Sequence, residues 1–393
     1  MLLAIFNTGT GPARVSLVRR GAAPVCSGTV GIVGGGLAGV TAAKTLADAG
    51  VPVVLHERSA RLGGRLGVVE VDGQLVGSAC SYLKAKDPEF VKQVEQWRDA
   101  GLVVEWTPAP HVIAEPGTWS PISGADAERW FVGVPNMASP ASALAEHDNI
   151  QVRASDVYDC NYEASKWIVA AQPPLDAAAT NAVVELDAEV PVESHIYTDL
   201  ILALPVHETS ELLDRKILDA ALGRGRHKDF VKERVSVAVV FERSLELPFG
   251  FAALTYAGSP VTVAVCESSR LAAGAGAESG AGADSGAAEI WILQSATDWA
   301  KTALDEEMEP EEMAQTLLSE FAAALGRSVA TLPTTRACEA IVWPYGDMDY
   351  EIEGGCVWRD DLRLALAGDW AYTGRAEGAW LSGRAAAQKL LHL

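Results

Sequence analysis

Gly34, Gly36 and Gly39 lie in the run Thr29-Val-Gly-Ile-Val-Gly-Gly-Gly-Leu-Ala-Gly-Val and spell G-x-G-x-x-G. They stand between an apolar, β-branched stretch and an Ala-rich helical one, Val40 to Ala49. Glycines at that spacing let the backbone close on a pyrophosphate. The helix that follows, with Leu37 and Ala38 at its start, turns its positive end to the phosphates. Glu57 closes the next apolar run, Pro52-Val-Val-Leu-His-Glu, at the spacing where a carboxylate accepts hydrogen bonds from a ribose diol. A G-x-G-x-x-G alone also serves ordinary tight turns. Strand, helix, second strand and acid in this order point to a bound dinucleotide.

Immediately downstream, Arg58-Ser-Ala-Arg61-Leu-Gly63-Gly64-Arg65-Leu-Gly67 sets a glycine doublet among arginines, which offset phosphate charge. The segment resembles the second phosphate-contacting signature of FAD-dependent amine oxidases and their relatives, although Gly67 stands where that pattern carries Ser or Thr. The resemblance implies FAD rather than NAD, with Arg58, Gly64 and Arg65 beside it. Near the C-terminus an apolar strand ends in Gly368-Asp369, followed by Glu377-Gly378-Ala379 and by Ser382-Gly383 opening a helix to Leu391. This is similar to the closing FAD segment of the same superfamily. It implies that Asp369 holds the ribityl-phosphate region and that the final helix aims its N-terminus at the flavin pyrimidine. A helix dipole there favours the negative charge of a reduced flavin. Residues 370–380 contain no cysteine, so the FAD is expected to be non-covalent.

Further landmarks resemble one branch, the renalase-like flavoproteins, over about residues 29–392. They are the Asp87-Pro-x-Phe helix ending at Trp97, Trp106-Thr-Pro, Phe131-Val-Gly-Val-Pro-Asn-Met, Trp291-Ile-Leu-Gln-Ser-Ala-Thr-Asp-Trp299 and Trp343-Pro-Tyr345. The resemblance implies hydride transfer from 1,2- or 1,6-dihydro-NAD(P) to FAD, then electron transfer to O2 giving H2O2. Dihydropyridines are strong hydride donors, so placement near the flavin matters more than a dedicated base. Trp343, Tyr345 and Trp291 are the candidates for stacking the nicotinamide, with core packing the competing reading for each. The chain departs from the branch at Leu75-Val-Gly77-Ser-Ala-Cys80-Ser-Tyr82, where renalases carry "D-H-G-A-Q-Y-F" close to the flavin, and at Val342, where an Arg often precedes the Trp. Amine oxidation is the enzymatic rival, and a non-catalytic FAD-binding protein is the third reading. Cys80 either lies by the flavin or is a buried structural thiol. His56 reads as a strand-end residue, and His195 and His207 as solvent-facing.

The net charge of −21 argues against nucleic acid as a partner. Six cysteines without a C-x-x-C exclude the flavin disulfide reductases and suggest reduced, intracellular thiols. No apolar run reaches the ~20 residues of a membrane helix, so a soluble protein is expected. No metal-ligand spacing appears. Before Asp48 there is no acid, while Arg14, Arg19 and Arg20 lie among small residues. Residues 1–28 therefore look like an organellar transit peptide, with a plastid as the favoured destination and a cytoplasmic protein with a disordered start as the alternative. The oligomeric state stays open.

Behind these motifs the elements alternate strand and helix, which predicts an α/β fold. The expected architecture is a Rossmann-type FAD-binding domain of the p-hydroxybenzoate hydroxylase-like arrangement, discontinuous over 29–77, 148–205 and 347–393. A mixed α+β substrate domain, 78–147 and 206–346, is inserted. Within it the Gly/Ala/Ser-rich stretch 271–288 is expected to be a mobile surface loop.

Overall fold

The computed structural model describes residues 28–77, 79–124, 128–174, 192–223, 232–274, 288–347, 352–372 and 374–392, with only backbone described for 344–347. The transit-peptide expectation thus lies outside the described residues, as does most of the expected 271–288 loop. Leu271–Gly274 do not loop: they close the helix Glu267–Gly274.

β1 (Val30–Val33) and β2 (Val53–Glu57) are buried along their whole length. Such runs suit the middle of a parallel sheet covered on both faces. β1 pairs in parallel with β2 on one side and with Asp199–Leu202 on the other, so that Ile32 stands opposite both Leu55 and Ile201. The sheet has six strands, in the order Val357–Arg359, Leu364–Leu366, Asp199–Leu202, β1, β2, Ile150–Ala154.

α1 (Leu37–Asp48) and the last helix, Ala376–Leu391, pack together beside this sheet. Their approach is close enough that a Cβ on Gly383 would lie 2.0 Å from the Ala38 carbonyl oxygen. A three-stranded antiparallel sheet, Asp156–Glu163, Lys166–Gln172 and Glu193–Tyr197, brings Trp167 and Tyr197 into one core with Val33, Leu200 and Trp370. Val206, Leu212, Leu213 and Leu218 bury into the same core. The short helices of residues 206–222 therefore pack on the dinucleotide side, where the sequence had suggested the inserted domain.

The other large sheet has seven strands: Thr335–Asp347, Lys232–Phe241, Glu289–Ser295, Val261–Cys266, Phe251–Leu254, His111–Glu115 and Thr118–Pro121. Alternation along its strands sorts the side chains. Val235, Val237, Val239 and Leu293 pack with Met313, Leu317 and Phe321 of the helix Pro310–Ala324. Ala238, Val240, Ile290 and Ile292 pack on the opposite face against Val71 and Val76. Those two valines belong to the hairpin Val68–Val71/Gln74–Gly77, whose turn residues Asp72 (φ 50°) and Gly73 (φ 74°) both adopt the left-handed region that a tight hairpin uses. Among the described residues no helix is long and apolar enough to cross a membrane.

Candidate functional site

The two glycine motifs form one backbone surface. Gly34 turns the chain at φ 100°, and its Cβ would sit 2.5 Å from the Ala203 carbonyl oxygen. At Gly39 a Cβ would come 1.8 Å from the Gly34 carbonyl oxygen, so only glycine lets α1 seat on the turn. Gly36 is different. A Cβ there would meet only the Cα of Gly64, at 4.0 Å. Among the described residues no other atom comes within 4 Å of that Cβ, the open space a pyrophosphate cradle requires. Gly63 N donates to the Gly35 carbonyl at 2.9 Å and bridges to Gly36, so the doublet closes the cradle from the other side. α1 has no side-chain cap and no acid in its first turn. Leu37 and Ala38 are buried there, so they offer phosphates their backbone N–H groups and not their side chains.

Glu57 is buried at the end of β2, and each of its oxygens holds a backbone donor: Oε2 takes Gly35 N at 2.6 Å and Oε1 takes Ser59 N at 2.7 Å. Each oxygen keeps acceptor capacity for a ribose hydroxyl. Arg58 does not join it. Its exposed guanidinium pairs with Glu208 at 2.9 Å. Arg65 forms an ion pair with the buried carboxylate of Asp369. Gly368 N donates to Ser382 Oγ at 3.0 Å, and the Trp370 indole N–H donates to the Leu204 carbonyl at 2.9 Å, fixing the Gly368-Asp369 turn.

The last helix begins at Ala376 and not at Ser382, so Glu377, Gly378 and Ala379 form its first turn. Glu377 Oε2 accepts from Lys86 N at 2.6 Å and Asp87 N at 3.0 Å, tying down the start of the helix Pro88–Asp99.

The segment after the hairpin forms a wall. Cys80 N donates to the Arg65 carbonyl at 2.9 Å, and the Cys80 thiol donates to the Tyr82 carbonyl at 3.2 Å. Cys80 thus stands beside the Arg65–Asp369 pair. The Tyr82 ring lies 4.3 Å from that of Trp130, which lies 4.9 Å from Phe251 and 6.0 Å from Trp106. Burial pushes the Cys80 thiol above its ordinary pKa, and burial raises Tyr82 to about 12. Both stay protonated at neutral pH. The Gln294 amide donates to the Ala79 carbonyl at 2.5 Å, joining the wall to the seven-stranded sheet.

Trp343 and Trp291 separate by sheet face. Cys338, Ala340 and Val342 pack toward the helices, which leaves Ala337 and Trp343 in the opposite phase. The Tyr345 side chain lies outside the described atoms. Trp291 is 1 % exposed on the helix face, 5.2 Å from Phe321, with its indole N–H on Glu289 at 2.6 Å. Trp291 is a core residue, a correction that places it away from the site.

His195 is not solvent-facing either. It is half-buried 5.0 Å from His56, whose ring joins Ser155 at 2.7 Å and Tyr197 at 2.8 Å. Burial lowers the His56 pKa to about 3, with His195 and Arg153 adding to the shift. Among the described residues no three His, Cys, Asp or Glu side chains gather as a metal site.

Residues 37–105 match the family model described as flavin containing amine oxidoreductase. The fold is similar over 94 % of this chain and all of a protein from Exiguobacterium sp. 255-15 assigned as a protoporphyrinogen oxidase, at a TM-score of 0.65 and 11 % identity. It is similar over 93 % of this chain and 99 % of a putrescine oxidase bound to putrescine, at a TM-score of 0.58 and 14 % identity. A curated relative, the methylenetetrahydrofolate–tRNA-(uracil-5-)-methyltransferase of Dinoroseobacter shibae, is 31 % identical over 178 residues, 44 % of this chain. The chain spans 36 % of that relative's length. The α/β fold is the one these solved oxidases share, and residues 37–105 carry the segment that matches the flavin-family model.

Proposed function

We propose that the protein oxidises a reduced nicotinamide isomer, 1,2- or 1,6-dihydro-NAD(P), in a renalase-like reaction that passes electrons to O2 and releases H2O2. One observation carries this reading. The titratable side chains on the wall beside Arg65 and Asp369, Cys80 and Tyr82, are both held protonated by burial. Among the described residues, these two wall side chains offer no base at neutral pH, which suits a substrate that gives up hydride without first losing a proton to the protein. Bound FAD supplies the hydride acceptor. The protein's own part is to hold it. The Gly36–Gly64 cradle and the first turn of α1 take the pyrophosphate, Glu57 takes the ribose, and Arg65 with Asp369 fixes the stretch between phosphate and ring. Tyr82, Trp130 and Phe251 exclude water from the reacting side, and Trp343 offers an aromatic face for the nicotinamide. The acidic surface disfavours a nucleic-acid substrate.

Steady-state peroxide release tests the reading. Borohydride-reduced NAD, which contains all three dihydro isomers, should support it, while pure 1,4-NADH should give only background. Peroxide from putrescine-like amines and none from the isomers would transfer the assignment to amine oxidation. That second reading is favoured by the aromatic wall and by the likeness to the putrescine oxidase fold.

A further inference from the structure

The helix Glu267–Gly274 carries two charged groups that do not reach water: Glu267 is 0 % exposed and Arg270 2 %. Arg270 Nε donates to Glu267 Oε2 at 2.7 Å, and its Nη2 pairs with Oε1 of the same carboxylate. Gly77 N donates to that Oε1 at 3.0 Å. A guanidinium that gives Nε and one Nη to a carboxylate turns its remaining Nη away from it. In Arg270 that nitrogen, Nη1, is buried and has no hydrogen-bond partner. Leaving such a donor buried costs its whole desolvation, a penalty that a bound acceptor removes.

The guanidinium lies beside the wall of the site. A Cβ on Gly77 would be 2.8 Å from Nη2 and 3.5 Å from Nη1, so the guanidinium lies across this glycine. Gly77 leads into the Ala79-Cys80 wall, and the Cys80 thiol feels the charges of Arg270, Arg65 and Asp369 together. Ser269, on the same turn, accepts the Trp106 indole N–H at 3.3 Å and donates to the Cys266 carbonyl at 2.9 Å, which locks the helix in place. Burial pulls the Arg270 pKa down to about 10, leaving it charged at neutral pH.

We infer that Arg270 donates its free Nη1 edge to the isoalloxazine of bound FAD and stabilises the ring's anionic reduced form, with Glu267 fixing the fork. This deepens the proposed function and rests on FAD occupying the site. Hydride from substrate brings two electrons and one proton to the ring and leaves it one negative charge. A positive pole held against that charge raises the reduction potential. Glu267 offsets part of that charge, but its oxygens lie on the opposite edge of the guanidinium, so the pair is a dipole whose positive end is the Nη1 edge.

The test is the two-electron midpoint potential of the FAD-loaded protein against a reference dye. It compares wild type, the double variant Glu267→Gln/Arg270→Gln, and Arg270→Lys. The neutral pair keeps volume and an amide fork, and keeps an acceptor for Gly77 N. Its reduction should become at least about tenfold less favourable, about 30 mV for a two-electron couple. Arg270→Lys is the milder change and keeps the charge. It should lose less than half of that shift. A flavin-loaded double variant with an unchanged potential overturns the inference, and so does a Lys variant that falls as far as the neutral pair. A wild-type protein that takes up no FAD overturns the cofactor reading itself, a failure distinguishable from the other two by its colourless spectrum.

Discussion

Arg65 and Asp369, 304 residues apart in sequence, form an ion pair that closes the cofactor site from the two ends of the chain. One follows the glycine doublet, and the other opens the 3-10 turn Asp369–Ala371 just after the strand Leu364–Leu366 of the six-stranded sheet. The pair ties the two motifs together.

Asp369→Ala removes the buried carboxylate that pairs with the half-buried Arg65. Stability should fall by about 1.5–3 kcal/mol, the range for a hydrogen bond to a charged group. FAD affinity should fall by about tenfold or more, which corresponds to about 1.4 kcal/mol. Urea unfolding and quenching of flavin fluorescence measure the two effects separately.

Gly36 and Gly39 should behave as opposites. Gly36→Ala adds a Cβ to open space at φ −68°, so the apo protein should lose no more than about 0.5 kcal/mol. The same Cβ enters the pyrophosphate cradle, and flavin binding should weaken about tenfold or more. Gly39→Ala drives a Cβ into the Gly34 carbonyl and should reduce soluble, folded protein before any flavin is added. Thermal melts of the flavin-free variants separate the two cases.

Trp291 and Trp343 give a second contrasting pair. Trp291→Ala empties a fully buried position and should destabilise the fold by about 3–5 kcal/mol, while kcat per folded molecule holds. Trp343→Ala should leave most of the stability and raise KM for the nicotinamide isomer. Denaturant midpoints alongside initial rates would show it.

Acid should act through His56. Its folded pKa of about 3 lies below the ordinary value of 6.5. Above pH 6.5 the ring is neutral in both states and the shift contributes nothing. As pH falls from 6.5 toward 3 the unfolded chain gains a proton that the folded one does not. Stability is therefore lost by up to about 1.4 kcal/mol per pH unit. His56→Gln should flatten this part of the pH dependence, read as proton uptake on unfolding.

Local chemistry was legible in the sequence. The Gly34–Gly39 turn and the helix that follows Asp87-Pro88 each depend on residues a few positions apart. What was misread depends on distant contacts. Ser382-Gly383 looked like a helix start, but Gly383 is there for the close approach of the Ala38 carbonyl, and Ser382 holds Gly368 N. Trp291 could not be sorted from Trp343 without knowing which sheet face meets the helix Pro310–Ala324. The Glu267–Arg270 pair was invisible because its partner, Gly77, lies 190 residues earlier. Glu377 carries a helix-start acid whose target, the Lys86 and Asp87 backbone, is set 290 residues away.

The most direct test of the central claim is the visible spectrum of the FAD-loaded protein under anaerobic addition of borohydride-reduced NAD. Rapid bleaching of the flavin band, absent with pure 1,4-NADH, and recovery of the band when air is admitted are the predicted result. A flavin band that persists with every nicotinamide isomer would contradict the account.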